Sequence, residues 1–362
     1  MDTAYHLEQA NERVTPFMNI LNYPKDRDMS FDALRGIAIV AVVAMHAIPW
    51  QAYHNYVVLS YRQLLNFAVP LFLFISGYWL EKKPINSLTD YEMFLTRRLS
   101  RILIPYLFWS LVYLGYETIK GCDISVYDAL FKLLTGGASV QFWFIILIAQ
   151  LYICTPLLQY LNCRRYGIVL VTLLNIIYLL VQYPLCLHGL WFIRFHVPFL
   201  SFVVFYQAGF WMSSRYDKTP LPQNIRFVIL PAILLSALIS IQEALMILSY
   251  HDNWHMAISP LKYSSFLYFT CIILGLMLLR EHFRNWPKFL VVLGNYSFGI
   301  YLIHMIVLRG ITKVINKIGE SCPSGALYQI IIVLMTLSIC FAIIGLTRKL
   351  LPKPFCSKVL GF

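Results

Sequence analysis

Apolar stretches of about twenty residues recur along this chain, separated by short clusters of charge, glycine and proline. Twenty residues of helix cross roughly 30 Å of hydrocarbon, so the pattern predicts membrane-crossing helices rather than the shorter apolar helices of a soluble core. Ten crossings are predicted, at 31–50, 64–81, 101–120, 142–162, 166–186, 191–212, 226–249, 262–280, 289–309 and 326–347. Clusters such as Glu81-Lys82-Lys83-Pro84 and Gly136-Gly137 punctuate them, and the short turn from Asn162 to Tyr166 predicts a tight antiparallel hairpin of the fourth and fifth. The first 28 residues are polar and lack an apolar core of the signal-peptide kind, so the first crossing is expected to serve as its own insertion signal. The fold class is therefore all-α, a polytopic transmembrane helical bundle of about ten spans. The expected organisation is an N-terminal tail over 1–29, a transmembrane domain over 30–350 and a C-terminal tail over 351–362.

Composition narrows the picture. Of 362 residues, 59% are hydrophobic and 13% charged, about half the ~25% charged share of a soluble domain. The net charge of +12 would ordinarily raise nucleic acid as a partner. Here the cations lie between the apolar stretches, in an alternation that the positive-inside rule explains. With the N-terminus inside, twenty Lys and Arg fall on the cytoplasmic side, among them Lys82, Lys83, Arg97, Arg98, Arg101, Arg348 and Lys349. Six fall opposite, namely Arg62, Lys120, Lys132, Lys262, Lys313 and Lys317. An even number of crossings then puts both termini in the cytoplasm. The expected setting is the cell (inner) membrane, with lipids as partners, no nucleic acid, and room for a homo-oligomer. Eight cysteines show neither a CxxC pair nor metal-ligand spacing, so no metal is expected. Cys122 and Cys322 fall in outer loops, where a disulfide is conceivable.

Two polar constellations stand out against this apolar background. Arg35 and His46 are eleven residues apart in the first crossing, which places them on one helical face about 16 Å apart along the axis. Ionisable groups inside a membrane are costly and usually face a protein-lined cavity. His46 could therefore handle protons near neutral pH, or equally be a packing residue hydrogen-bonded between helices. Arg97, Arg98 and Arg101 open the third predicted crossing at i,i+3 and i,i+4 spacing. At a helix N-terminus such guanidinium groups suit phosphate, while ordinary anchoring at lipid head groups is the plainer reading.

Together these pieces resemble the acyltransferase family 3 of integral membrane proteins. The resemblance covers nearly the whole chain. It rests on Phe31-Asp32-Ala33-Leu34-Arg35-Gly36-Ile37-Ala38-Ile39 with His46, on Val69-Pro70-Leu71-Phe72-Leu73-Phe74-Ile75-Ser76-Gly77-Tyr78 and on the run from Arg97 to Tyr106. Trp143-Phe144 with Tyr152 and Pro156, and the stretch from Asn295 through Tyr301 to His304, complete it. The resemblance implies transfer of an acyl group, usually acetyl, from cytoplasmic acyl-CoA (acetyl-CoA as donor co-substrate) to a hydroxyl of a cell-surface carbohydrate or lipid-linked glycan. It implies His46 and Arg35 as the catalytic histidine and arginine. Arg97, Arg98 and Arg101 become a coenzyme A phosphate site, with Tyr78 beside the donor.

A thioester is already activated, so a base for the hydroxyl suffices, and His46 can supply it. The span between Arg35 and His46 favours donor positioning for Arg35, with Asp32 as its ion-pair partner. Trp143, Tyr301 and His304 are candidates for binding the substrate, or else belong to the aromatic belt and the helix packing. Glu243 and the histidines at 188, 196, 251 and 255 are expected to face water. Arg194 could meet an acceptor. A transporter or exporter of a glycan or lipid-linked intermediate is the rival reading, and an amine or peptide acceptor the third.

Overall fold

A computed structural model of the chain describes residues 28–190, 199–216, 224–282, 286–318 and 326–362. The longer helices are α1 (Met29–Ala47), α2 (Tyr56–Leu64), α3 (Ala68–Glu81), α4 (Leu88–Ile119), α5 (Val126–Thr135), α6 (Trp143–Cys163) and α7 (Gly167–Leu187). They continue as α8 (Phe199–Tyr216), α9 (Ile225–His251), α10 (Tyr263–His282), α11 (Lys288–Asn295), α12 (Ser297–Ile318) and α13 (Ala326–Leu350). Among the described residues there is no strand, and nine helical stretches are long and apolar enough to cross a membrane. Outward-facing Leu, Ile and Val on α6, α7, α9 and α13 remain exposed, as a lipid-solvated surface requires.

Several boundaries depart from the sequence expectation. The second crossing is two helices, α2 and α3, joined at 65–67, and Arg62 sits on α2 rather than in a loop. The third begins at Leu88, thirteen residues earlier than expected, because Ser87 caps it by accepting from the Asp90 amide at 3.1 Å. The ninth divides at Tyr296 into α11 and α12. Part of the expected sixth crossing lies outside the described residues; the rest is α8. Residues 351–362, expected as a tail, fold back onto the bundle. Trp109 Nε1 donates to the Leu360 carbonyl at 3.1 Å, and Cys356 and Phe362 are buried.

Helix α1 is the axis of the molecule. Its Ala, Val and Ile side chains are buried on nearly every side, against α3, α11, α12 and α13. Small residues let this happen. A Cβ on Gly36 would stand 2.1 Å from the Leu290 carbonyl oxygen, and one on Gly294 would stand 1.7 Å from that of Asp32. Helix α11 is thus seated directly on the turn of α1 that carries Arg35. At a second contact α3 meets α8 through Gly77 and Gly209, whose added Cβ atoms would lie 2.0 Å from the Tyr206 oxygen and 2.2 Å from the Phe74 oxygen. Close backbone approach through glycine is how helices gain contact where lipid removes the hydrophobic drive between them. The entry to α1 is pinned separately. Asp28 accepts from the Ser30 amide and pairs with Arg280 at 2.6 Å. Burial works against the Asp28 carboxylate, but its bonds to Ser30 and the charge of Arg280 hold the pKa below the usual carboxylate range.

The glycine contact gives a direct expectation. Gly209→Val should cost about 2 kcal/mol or more through overpacking and lower the thermal unfolding temperature in detergent. Gly115→Val, where an added Cβ meets nothing within 4 Å, should leave it unchanged.

Candidate functional site

The last turn of α1 brings His46 to the wall of a cavity of about 1050 Å³. That wall also contains Trp143, Phe144, Gln141, Tyr301 and Arg309, with the 51–55 and 254–260 segments closing it. Two of the substrate-binding candidates, Trp143 and Tyr301, therefore do share a space with His46. Tyr301 donates its hydroxyl to the Gln141 carbonyl at 2.6 Å, so its proton is committed to the wall. Trp143 lies against Phe202 with ring centres 5.8 Å apart, presenting an apolar surface beside the histidine.

His304 stands behind His46 rather than on the cavity surface. It is fully buried, and the ring centres are 5.3 Å apart. Its Nδ1 lies 2.7 Å from the Tyr301 carbonyl and 3.2 Å from that of Ile300. Carbonyls only accept, so these contacts assign the proton to Nδ1 and leave a lone pair on Nε2. No hydrogen-bond partner meets that Nε2. Nearby, the Tyr113 hydroxyl donates to the Leu302 carbonyl at 3.0 Å and accepts from the Ile306 amide at 3.2 Å. Tyr113 thus occupies one rung of the α12 ladder, an insertion that fixes the helix around His304. Gln141 Nε2 donates to the same hydroxyl at 3.2 Å, which links α12 to the loop before α6.

Sequence reasoning missed three residues here. Arg62 of α2, counted only as an outer charge, lines the cavity 8% exposed and acts electrostatically on His46. Arg309 also lines the cavity, paired with Glu117 at 2.5 Å. Lys262 is fully buried, with its three donor directions met by Gln63 Oε1 at 2.6 Å, the Ser259 carbonyl at 3.0 Å and the Ala257 carbonyl at 3.1 Å. It clamps the 254–262 segment to α2. The available signal was the spacing of Arg62, Gln63 and Asn66 within a predicted apolar helix boundary, polar residues where water-exposed turns would not need them. Glu243, expected to face water, instead accepts from the Tyr183 hydroxyl at 2.6 Å and from the Ser264 amide at 3.1 Å, stapling α7 and α9 to the start of α10. His255 lines the cavity, stacked on Trp254, and His188 is exposed. Arg194, His196 and Cys322 lie outside the described residues.

The other end of α1 holds a second charged cluster. Arg35 pairs with the buried Asp32 at 2.9 Å, as expected. The Tyr152 hydroxyl of α6 lies within electrostatic reach of Arg98, Arg35 and Arg101 together. Arg98 also acts on Tyr206, whose hydroxyl is 2.8 Å from that of Thr155. Arg97 is exposed and is absent from this convergence. One part of the expectation fails: these arginines do not stand at a helix N-terminus, since α4 starts at Leu88, and the helix dipole does not add to any phosphate contact there. Tyr78 is 1% exposed, with its ring centre 4.5 Å from that of Phe31 and Arg280 above it at 5.5 Å, inside an aromatic cluster. Along α4, Arg98 and Glu117 are separated by nineteen residues, about 28 Å of helix. The two clusters therefore occupy opposite ends of the bundle.

Comparison with known proteins decides the family. An acyltransferase-domain model of the acyltransferase 3 family matches residues 29–345. The chain belongs to the acyltransferase 3 family. YfiQ of Bacillus subtilis (strain 168), provisionally named a membrane-bound acyltransferase, is 26% identical over 291 residues, covering 75% of this chain and 78% of that protein. No solved structure matches. This protein is thus a multi-pass membrane acyltransferase. In the acyltransferase the stretches that carried the resemblance divide by physical task. Gly36 and Gly77 serve close packing, Asp32 holds Arg35, and His46, Trp143 and Tyr301 face the cavity. Among the described residues no group of three or more His, Cys, Asp or Glu is placed to hold a metal ion.

The tautomer of His304 can be read directly. Nitrogen-15 NMR of the histidine-labelled acyltransferase should show His304 with its proton on Nδ1 and none on Nε2; the reverse pattern would break the assignment.

Proposed function

We propose that this acyltransferase moves an acyl group, acetyl by family frequency, from cytoplasmic acyl-CoA to a hydroxyl of a carbohydrate or lipid-linked glycan at or beyond the outer face. The observation that carries the reading is His46 on the wall of a large cavity in a family of acyltransferases, with a convergent set of arginines at the far end of the same helix. With both termini inside, the orientation that the charge count favours, the Arg35 end would face the cytoplasm, where acyl-CoA is made.

In this reading Arg98 and Arg101 hold the phosphates of coenzyme A, and Arg35, fixed by Asp32, guides the donor. The slender pantetheine arm carries the thioester toward His46. There the acceptor oxygen attacks the thioester carbonyl as His46 removes its proton. The tetrahedral oxyanion collapses, the carbon–sulfur bond breaks, and coenzyme A leaves as thiolate to be protonated by the imidazolium. The products are an ester and free coenzyme A, and His46 returns to its starting state. His304 is placed to accept a hydrogen bond from His46 through its bare Nε2. That bond would orient the other ring nitrogen of His46 toward the cavity, the usual logic of a base held by a third group.

Purified protein with labelled acetyl-CoA and extracted glycan acceptors tests the proposal. His46→Ala should lower transfer by roughly 100- to 10,000-fold while leaving coenzyme A binding intact. Transfer that persists in a folded His46→Ala protein would remove the proposed base. The double variant Arg98→Gln, Arg101→Gln should raise the donor KM roughly tenfold, with little change in acceptor KM. Absence of any coenzyme A binding by the wild-type protein would shift the reading to glycan export.

A further inference from the structure

The wall of the His46 cavity is one-sided in charge. It carries Arg62, Arg309, His46 and His255, and among the described residues no Asp or Glu lines it. Arg309 is balanced by Glu117 behind it. Arg62 is not balanced: its guanidinium donates to Asn66 Oδ1 and bonds Tyr53, both uncharged, and its Nε has no hydrogen-bond partner. Among the described residues no carboxylate pairs with it. A second buried cation, Lys262, lies near enough to act on the same region, and the carboxylate acting on Lys262, Glu243, is already engaged by Tyr183 and Ser264.

Burying a guanidinium without a counter-charge is costly, and a buried arginine normally sits against an anion. Asn66 and Gln63 hold the side chain and its surroundings in place: Asn66 Nδ2 donates to the Ile258 carbonyl at 3.3 Å, and Gln63 Nε2 to that of Ala257 at 3.0 Å. The guanidinium is therefore fixed in position without a counter-charge, in a residue that lines a volume large enough for a sugar ring. Trp143 and Trp254 offer aromatic faces on the same wall.

We infer that the cavity binds an acidic acceptor, and that Arg62 holds its anionic group, a carboxylate or a phosphate, while an acceptor hydroxyl is presented to His46. This names the substrate class of the site proposed above and rests on that reading. The thioester and the neutral face of a sugar give Arg62 nothing to pair with; an acidic sugar or a phosphorylated glycan does. The donor's own phosphates are the other source of such an anion, and the experiment separates the two.

The full chain in detergent is titrated with glucuronate, with glucose and with coenzyme A at matched ionic strength, following intrinsic tryptophan fluorescence, to which Trp143 and Trp254 of the cavity wall contribute. No acyl donor is present in the sugar titrations, so their failure would leave acyl transfer itself standing. Glucuronate should give a saturable change that glucose does not. Arg62→Gln should weaken glucuronate binding at least tenfold and leave coenzyme A binding unchanged, and Arg165→Gln, remote and exposed, should leave both unchanged. Val58 lines the cavity one helical turn before Arg62. Val58→Glu supplies an internal counter-ion, so it should abolish glucuronate binding in a protein at least as stable as wild type, which secures the test if Arg62→Gln does not fold. Equal responses to glucuronate and glucose, undiminished glucuronate binding in either variant, or loss of coenzyme A in place of glucuronate would overturn the inference.

Discussion

Charge inside a hydrocarbon slab persists only where protein or trapped water supplies a partner. Most of the polar architecture here follows from that constraint. Asp32 is buried and answers Arg35; Glu117 answers Arg309; Asp28 answers Arg280. Lys262 is met by three oxygens. These pairs gather at the two ends of the bundle, and the middle of α1 between them is alanine, valine and isoleucine buried against its neighbours. The charged groups are consequently split between two polar ends joined by one apolar helix.

The same helix has to be both crowded and accurate. Helix α1 packs chiefly against α3, α11, α12 and α13, and the approach of α11 depends on Gly36 and Gly294 having no side chain at the contact. That contact surrounds the Arg35–Asp32 pair, so packing and charge placement are one feature at this end. At the other end accuracy comes from hydrogen bonds. Tyr113 inserted into α12, Gln141 bonded to it and Tyr301 tied to Gln141 form a connected polar frame around His304. Such a frame orders side chains more tightly than apolar contact alone, because each bond fixes a direction as well as a distance. His46 stands at the edge of this frame, against the cavity, and the histidine behind it is held in one tautomer.

An acyl-CoA donor and a glycan acceptor, on the proposed reading, arrive from different compartments. On that reading the arginines at one end of the bundle would serve the donor and the histidine-lined cavity at the other the acceptor.

The crossings themselves were legible in the sequence, because hydropathy and charge alternate locally and a helix of given length either spans the bilayer or does not. Arg35 and His46 were legible as one face of one helix, and Asp32 as the partner of Arg35, since all three lie within a few turns. Helix boundaries were less so: Ser87 as a cap and the break at Tyr296 depend on local hydrogen bonds that hydropathy does not register. What only the tertiary structure decided is which distant residues share a space. The position of Arg62 beside His46, the placement of His304 behind it, the convergence of Arg98, Arg35 and Arg101 on Tyr152, and the burial of Tyr78 in an aromatic cluster all depend on how helices far apart in the chain are rotated against one another. Those rotations are set by glycine contacts and cross-helix hydrogen bonds. A linear pattern carries the period of each helix but not its facing.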